Sequence, residues 1–111
     1  MQRKIDMTQS KIDQYGRING DHDIIHYDHD YSLERGFRGT LAHGPHLSAF
    51  PCDLAVKKYG VDWFTKGRLK TKWVKPVCPG DELIVELADS GEISERVGDE
   101  VTVVGFAKLE S

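Results

Sequence analysis

This sequence of 111 residues has few cysteines, no long apolar run and no excess of basic residues. No apolar stretch approaches the roughly 20 residues that a membrane-spanning helix needs. The first ten residues, MQRKIDMTQS, lack the apolar core of a secretory signal. The formal net charge of −3 provides no basic field that would attract nucleic acid or anionic lipid. These absences predict a cytoplasmic protein that binds neither membranes nor nucleic acid.

The two cysteines, Cys52 and Cys78, have neither CxxC spacing nor the density of a disulfide scaffold, so we expect reduced thiols. A length of 111 residues, 39% of them hydrophobic and 30% charged, predicts one folded domain over residues 1–111. A domain of this size buries only roughly two-thirds of the surface of its unfolded chain. A partner subunit would bury more, and we therefore expect a homodimer or a higher homo-oligomer.

Histidine is absent from the C-terminal half, and all five histidines lie within residues 22–46. They are His22, His26, His29, His43 and His46, and four aspartates interleave with the first three. The stretch Asn19–Asp30 is polar and lacks a helical or strand period, which predicts an ordered loop. Loops held on a rigid scaffold often carry catalytic groups.

Two helices are predicted from apolar residues spaced three and four apart. The first covers Ser10–Ile18. The second begins at Gly44 or Pro45, since proline is tolerated in a first turn, and stops at Gly60. Pro51 lies inside the second helix, where we expect a bend.

The apolar period changes to two after Val61, which indicates strands. One strand is expected at Lys66–Val74 with a single wet face, and another at Asp81–Ala88. A hairpin turning at Gly98 and Asp99 follows. The order of elements predicts an α+β domain in which an antiparallel sheet packs on one central helix.

Residues 15–44, YGRINGDHDIIHYDHDYSLERGFRGTLAHG, resemble the MaoC-like family of (R)-specific enoyl-CoA hydratases and dehydratases. The matching residues, in order, are Tyr15, Gly20, Asp21, Ile25, His26, Gly36, Phe37, Ala42, His43 and Gly44. The resemblance implies a single hot-dog domain, in which the sheet wraps around the long helix.

The resemblance also implies an activity: reversible hydration of a trans-2-enoyl thioester of CoA or acyl carrier protein to the (R)-3-hydroxyacyl thioester, with no cofactor or metal. Asp21 and His26 would hold a water and exchange its protons, because a carboxylate and an imidazole suit that role. The Gly44 amide, in the first turn of the second helix, would bind the developing enolate oxygen. The active site would lie at the interface of a homodimer.

Five further residues are candidates for substrate binding: Tyr15, Asp23, Phe37, His43 and Ser48. Tyr15 and Phe37 would line the pocket, and His43 would position the loop or the helix start. Asp23 and Ile24 stand where the family usually has asparagine and proline, which puts the backbone lock of the loop and one local hydrogen bond in doubt. Cys52 falls near a position that often holds a serine supporting the catalytic aspartate, and Ser48 is a possible substitute.

Several alternatives stay open. Without the resemblance, an aspartate and a histidine five residues apart are more often a cap or a surface hydrogen bond. Zinc or iron ligation by His22, His26 and His29 would require a helix, and no HExxH motif supports it. A hot-dog thioesterase and a non-catalytic acyl-thioester-binding subunit are the other functional candidates. The basic positions Lys66, Arg68, Lys70 and Lys72 would form a solvated strand face or attract carrier phosphates or an acidic carrier protein.

Overall fold

The computed structural model describes residues 1–110, and Ser111 of the expected domain lies outside them. The elements in chain order are β1 (Gln2–Asp6), α1 (Gln9–Asn19), α2 (His29–Glu34), α3 (Gly44–Tyr59), α4 (Asp62–Lys66), β2 (Gly67–Trp73), β3 (Glu82–Leu87), β4 (Glu92–Val97) and β5 (Glu100–Leu109). A 3₁₀ turn at Ile24–His26 lies between α1 and α2. In the described part of the chain, no helix has both the length and the apolar character needed to cross a membrane.

The five strands form one antiparallel sheet in the order β1-β3-β4-β5-β2, so β1 and β2 are its edges. Helix α3 packs against β3 and β5 on one face of this sheet. A five-stranded antiparallel sheet with one long helix on its face is the hot-dog architecture. The expected α+β class and hot-dog fold are confirmed.

The core lies between α3 and the sheet. Leu83, Val85 and Leu87 alternate along β3 and are buried, as period-two packing requires. Leu47 and Leu54 of α3 are buried in the same apolar cluster. Helix α3 therefore has a fixed position relative to the sheet, and so has its N-terminus.

The bounds of α3 follow its end signals. Pro45 lies in the first turn, where its missing N–H costs nothing, and Gly60 ends the helix with a φ of 65°. The helix continues through Pro51 to Tyr59. Proline has no N–H to donate, so the Leu47 carbonyl lacks its usual helical partner there.

The expected loop at Asn19–Asp30 is wrong at its C-terminal end, because α2 begins at His29. The side chain of Asp28 accepts the Tyr31 N–H at 3.0 Å and caps this short helix. The change to strand after Val61 is also wrong locally, since Asp62–Lys66 form α4 before β2 starts. Strand β1 was not expected, because only Ile5 of its residues is buried and no apolar alternation marks it.

The expectation of a single solvent-exposed face for Lys66–Val74 is also wrong. Lys70 and Lys72 are exposed as expected, but Leu69 and Trp73 on the opposite face are exposed as well. Strand β2 is an edge strand, so its α3-facing side is covered only in part. An apolar surface is therefore left open beside α3.

Candidate active site

Successive side-chain caps fold the loop after α1. The Asn19 side chain accepts the Asp21 N–H at 2.9 Å, and Asp21 Oδ1 accepts the Asp23 N–H at 3.0 Å. Asp23 Oδ1 then accepts the Ile25 N–H at 3.0 Å and caps the 3₁₀ turn. The N–H of Asp23 stabilises the carboxylate and lowers the pKa of Asp21, with a further contribution from His26. Asp21 is therefore an ionised carboxylate at neutral pH.

His26, at the end of the 3₁₀ turn, faces this carboxylate. Its Nδ1 lies 2.7 Å from the carbonyl oxygen of Leu41, and its Nε2 lies 3.5 Å from Asp21 Oδ2. A carbonyl only accepts, so Nδ1 carries a proton, and the lone pair of a neutral His26 ring would then be on Nε2. The His26 side chain is 12% exposed and that of Asp21 is 43% exposed. The pair can therefore hold a proton or a water between two acceptors.

His43 and Tyr27 lie behind the pair. The rings of His43 and His26 stack with centroids 3.9 Å apart and an interplanar angle of 21°. The Tyr27 hydroxyl donates to the backbone carbonyl of Asp21 and therefore accepts from His43 Nε2, which lies 3.1 Å away. Burial lowers the pKa of His43, and the neighbouring His26 lowers it further. His43 is thus a buried, neutral ring that donates to Tyr27.

Gly16 of α1 leaves space for the Tyr27 hydroxyl, since a Cβ at position 16 would lie 1.9 Å from that oxygen. Alanine in a helix interior normally stabilises it relative to glycine. We expect Gly16→Ala instead to destabilise the fold by about 1 to 3 kcal/mol, because the tyrosine is forced to move. Urea unfolding measures this difference. In the Tyr27→Phe background, which lacks the hydroxyl, the same substitution should cost clearly less, and an equal cost in both backgrounds would refute the clash.

Gly44 is the first residue of α3, and its N–H has no partner within the helix. Gly44 lines a pocket of about 280 Å³ together with Phe37, Leu41 and Trp73. A Cβ at position 44 would lie 2.6 Å from the Trp73 ring, so glycine is required for this close packing. Two predicted residues, Phe37 and Gly44, thus share a pocket with Leu41, the partner of His26.

The other predicted residues are spread around this centre. Tyr15 stacks on His46 with centroids 4.4 Å apart, and its centroid lies 5.3 Å from that of His43. The Asp23 side chain accepts the Ile25 N–H at the start of the 3₁₀ turn. The aspartate therefore forms the local hydrogen bond that the replacement of the family's asparagine put in doubt.

Ser48 does not support Asp21. Its hydroxyl lies 2.8 Å from Thr71 Oγ1 and accepts the Trp73 indole N–H at 3.0 Å, so it belongs to the contact between α3 and β2. The expected substitute for the family's serine is therefore wrong in this chain.

Two of the remaining histidines, His22 and His29, are exposed. His46 is half-buried between Tyr15 and Phe50, and burial lowers its pKa.

Sequence reasoning missed three groups at this site: Tyr27, the Leu41 carbonyl and Gln9. Gln9, in the first turn of α1, donates to the His26 carbonyl at 2.9 Å. A backbone carbonyl leaves no trace in residue type, and one glutamine in a helix start is unremarkable. The only signal for Tyr27 is Gly16, a glycine inside an otherwise periodic helix, which often marks a close approach.

Asp21, His26 and His43 are also the group that could offer metal ligands within residues 1–110, with one atom from each lying within 4.8 Å of the others. The earlier metal alternative named His22 and His29, which do not join this group. The stacking of His26 on His43 argues against shared ligation, because ring lone pairs lie in two nearly parallel planes. A metal bound by both rings would require one of them to turn.

Comparisons with known proteins identify one family. The family described as MaoC like domain matches residues 1–108. Comparison with curated protein sequences finds no significant match.

Three solved structures share the fold. The (R)-hydratase from A. caviae involved in PHA biosynthesis is 17% identical with a TM-score of 0.75, over 99% of this chain and 93% of that chain. R-hydratase PhaJ1 from Pseudomonas aeruginosa is 19% identical with a TM-score of 0.68, over 96% and 76%. The ChsH1-ChsH2 complex from Mycobacterium tuberculosis is 12% identical with a TM-score of 0.76, over 99% and 94%.

Proposed function

Because this chain belongs to the MaoC-like domain family, we propose that it catalyses the reversible hydration of a trans-2-enoyl thioester to the (R)-3-hydroxyacyl thioester. The carrier would be CoA or acyl carrier protein. The observation that carries this proposal is the pair of acceptors, Asp21 Oδ2 and His26 Nε2, held 3.5 Å apart. Two acceptors at this distance repel each other unless a proton or a water lies between them.

A water that donates one O–H to each acceptor has its oxygen lone pairs free for attack. Its oxygen would add to the β carbon while the pair takes one proton, and the pair would return a proton to the α carbon. The net result is addition of H and OH across the double bond. The buried ring of His43 and the Leu41 carbonyl keep His26 in the orientation that this exchange needs.

The thioester oxygen becomes negative as water adds. The Gly44 N–H, unpaired at the positive end of α3, is the donor we assign to it. Leu41 connects the two halves of the site, since its carbonyl bonds His26 and its side chain lines the pocket beside Gly44. Leu41 therefore borders both the proposed water-binding pair and the proposed enolate donor.

A second copy of the chain would complete the site. The Asp21 carboxylate is 43% exposed in one chain, which leaves the reaction open to solvent. An apolar groove of about 500 Å³ lies between α3 and β2, lined by Pro45, Ser48, Ala49, Cys52, Leu69, Thr71 and Trp73. Strand β2 also offers an unpaired edge. We assign this face to the homodimer interface.

Charge placed on this face should prevent dimerisation. Leu69 and Val104 are each 37% exposed but lie on opposite faces of the sheet, Leu69 toward α3. We expect Leu69→Glu to convert the dimer to monomer and Val104→Glu to leave the dimer intact, because only the first buries a charge at the interface. Analytical ultracentrifugation measures the mass. A monomeric wild-type protein, or equal effects of both variants, would contradict this interface.

The test of the activity is a panel of trans-2-enoyl-CoA substrates, followed by loss of the conjugated thioester absorbance and by chiral analysis of the product. Formation of the (R)-3-hydroxyacyl thioester supports the proposal. Release of free thiol would instead assign thioester hydrolysis to the chain. Thermal stabilisation by acyl-CoA without turnover would assign the chain to a non-catalytic binding subunit instead.

A further inference from the structure

Gln9 connects two segments that are distant from each other along the chain. Its Nε2 donates to the backbone carbonyl of His26 at 2.9 Å and to Asp13 Oδ1 at 3.0 Å. Its Oε1 accepts from the hydroxyl of Thr40 at 2.6 Å. Every strong hydrogen-bonding group of this amide is therefore used, and both N–H donors are fixed in direction.

The two segments meet at the imidazole of His26. Thr40 is 2% exposed and directly precedes Leu41, whose carbonyl accepts the His26 Nδ1–H. The Leu41 N–H in turn donates to the Ile25 carbonyl at 3.2 Å. Gln9 thus holds the backbone of His26 on one side and the residue before its ring partner on the other. A shift of either segment would change the Nδ1 to carbonyl distance.

We infer that Gln9 is a positioning residue that keeps His26 in the Nδ1–H tautomer, with its Nε2 lone pair directed at Asp21. This inference rests on the proposed function for its catalytic consequence only. The tautomer itself is a property of the folded chain and can be read without substrate. Gln9 touches no reacting atom and acts through the Leu41 carbonyl.

A merely structural role for Gln9 would predict a different result. Loss of a side-chain hydrogen bond alone lowers stability and leaves the tautomer of the His26 ring unchanged. The positioning role predicts a mixture of Nδ1–H and Nε2–H tautomers for His26, because its carbonyl partner is no longer held. It also predicts a lower kcat with KM unchanged, since substrate contacts are not removed.

The experiment compares Gln9→Met, which keeps the length and loses all three hydrogen bonds, with Gln14→Met on the same helix. Gln14 is exposed, and its side chain makes no hydrogen bond within residues 1–110. Long-range ¹H–¹⁵N spectra of the imidazoles report the His26 tautomer, and hydration of a short enoyl-CoA reports kcat. We expect mixed tautomers and a kcat lower by about tenfold to a hundredfold in Gln9→Met alone.

A wild-type tautomer in Gln9→Met would overturn the inference. Should Gln9→Met fail to fold, Thr40→Val removes only the bond to Gln9 Oε1 and is expected to shift the tautomer in the same direction by a smaller amount. No shift in that folded variant would equally overturn it. If the wild-type protein hydrates no enoyl thioester, the proposed function fails while the tautomer measurement still decides the role of Gln9.

Discussion

Asp21→Asn is expected to lower the rate of enoyl-CoA hydration by about a thousandfold or more, without a change of fold. The substitution keeps the size of the side chain and an oxygen that can accept the Asp23 N–H. It removes the negative charge and turns one acceptor facing His26 into a donor or a neutral oxygen. A positioned acid or base typically contributes about 10² to 10⁴ in rate, and Asp21 takes part in both proton transfers.

His26→Ala should have an effect of the same size. The imidazole is the second acceptor of the pair and the group held by the Leu41 carbonyl, so its loss leaves Asp21 alone with the water. Effects of two residues acting as one unit are not additive, and the double variant should be little worse than either single one. Steady-state hydration of crotonyl-CoA and far-UV circular dichroism provide the two measurements.

Matched controls are available on the same loop and the helix that follows it. His22 and Asp30 are exposed, so His22→Gln and Asp30→Asn change the same residue types outside the pair. Both should keep hydration within a few fold of wild type. Wild-type rates in Asp21→Asn or in His26→Ala would remove this mechanism.

The second large effect concerns Glu95, a carboxyl group in the middle of the core. On β4 its neighbours across the sheet are Val85 and Val103, both fully buried. Glu95 is itself 0% exposed, and neither carboxyl oxygen finds a hydrogen-bond partner within residues 1–110. Burial raises the pKa of Glu95 from 4.5 to about 8. The folded protein therefore carries a neutral acid there at neutral pH.

The sign of the pH dependence follows from the two states. The unfolded chain ionises this carboxyl near pH 4.5, whereas the folded chain keeps its proton until about pH 8. Between these values the folded state binds more protons, so its free energy of unfolding falls as pH rises, by about 1.4 kcal/mol per unit. The stability contributed by the protonated group is complete below pH 4.5 and is lost as the pH rises through 8.

The buried histidines oppose this change between pH 6.5 and 8. The pKa values of His43 and His46 are lowered from 6.5, so at pH 6.5 the unfolded chain still binds part of a proton at each, and the loss of these protons raises stability by roughly 1 kcal/mol in all up to pH 8. The pKa values of Asp21 and Asp81 are lowered as well, so their contributions change only in acid. Glu95 lowers stability by about 2 kcal/mol across the same range, so we expect a net fall of about 1 kcal/mol in the wild type. Urea unfolding at constant ionic strength measures it.

Glu95→Leu removes the titrating group and fills the same position with an apolar side chain. Its stability should rise slightly from pH 6.5 to 8, because only the histidines still contribute, and should exceed that of the wild type at pH 8 by up to about 5 kcal/mol, the most that the pKa change supplies. Glu92→Leu, at an exposed position of the same strand, should keep the wild-type slope. An equal slope in wild type and Glu95→Leu would assign the pH dependence elsewhere.

The parts of the fold that the sequence predicts are those with strong local signals. Helix α1 differs from the expected Ser10–Ile18 by one residue at each end, and α3 ends before Gly60 as expected. The hairpin of β4 and β5 turns at Gly98 and Asp99, where glycine allows the positive φ of 59°. Helices α2 and α4 are too short to show a period, so their formation depends on a cap and on tertiary contacts.

The candidate site also has residues that the sequence predicts and residues that it does not. Asp21, His26 and Gly44 are predicted from their match to a family motif, and the structure brings His26 within 3.5 Å of Asp21. The groups that hold them in place are backbone carbonyls and an ordinary glutamine, whose importance depends on positions in space. Glu95 also fits the alternation of a core-facing strand position, but its polarity hides that the position is fully buried.

The indole of Trp73 lies against Gly44, donates to Ser48 and borders both the pocket beside Leu41 and the groove beside β2. The chain has two tryptophans, and the other, Trp63, stacks on Tyr59 with centroids 6.0 Å apart. Replacing Trp63 with phenylalanine would make Trp73 the single indole fluorophore. Its emission would then report, without any attached label, when a thioester reaches the start of α3 and when a second copy covers the groove.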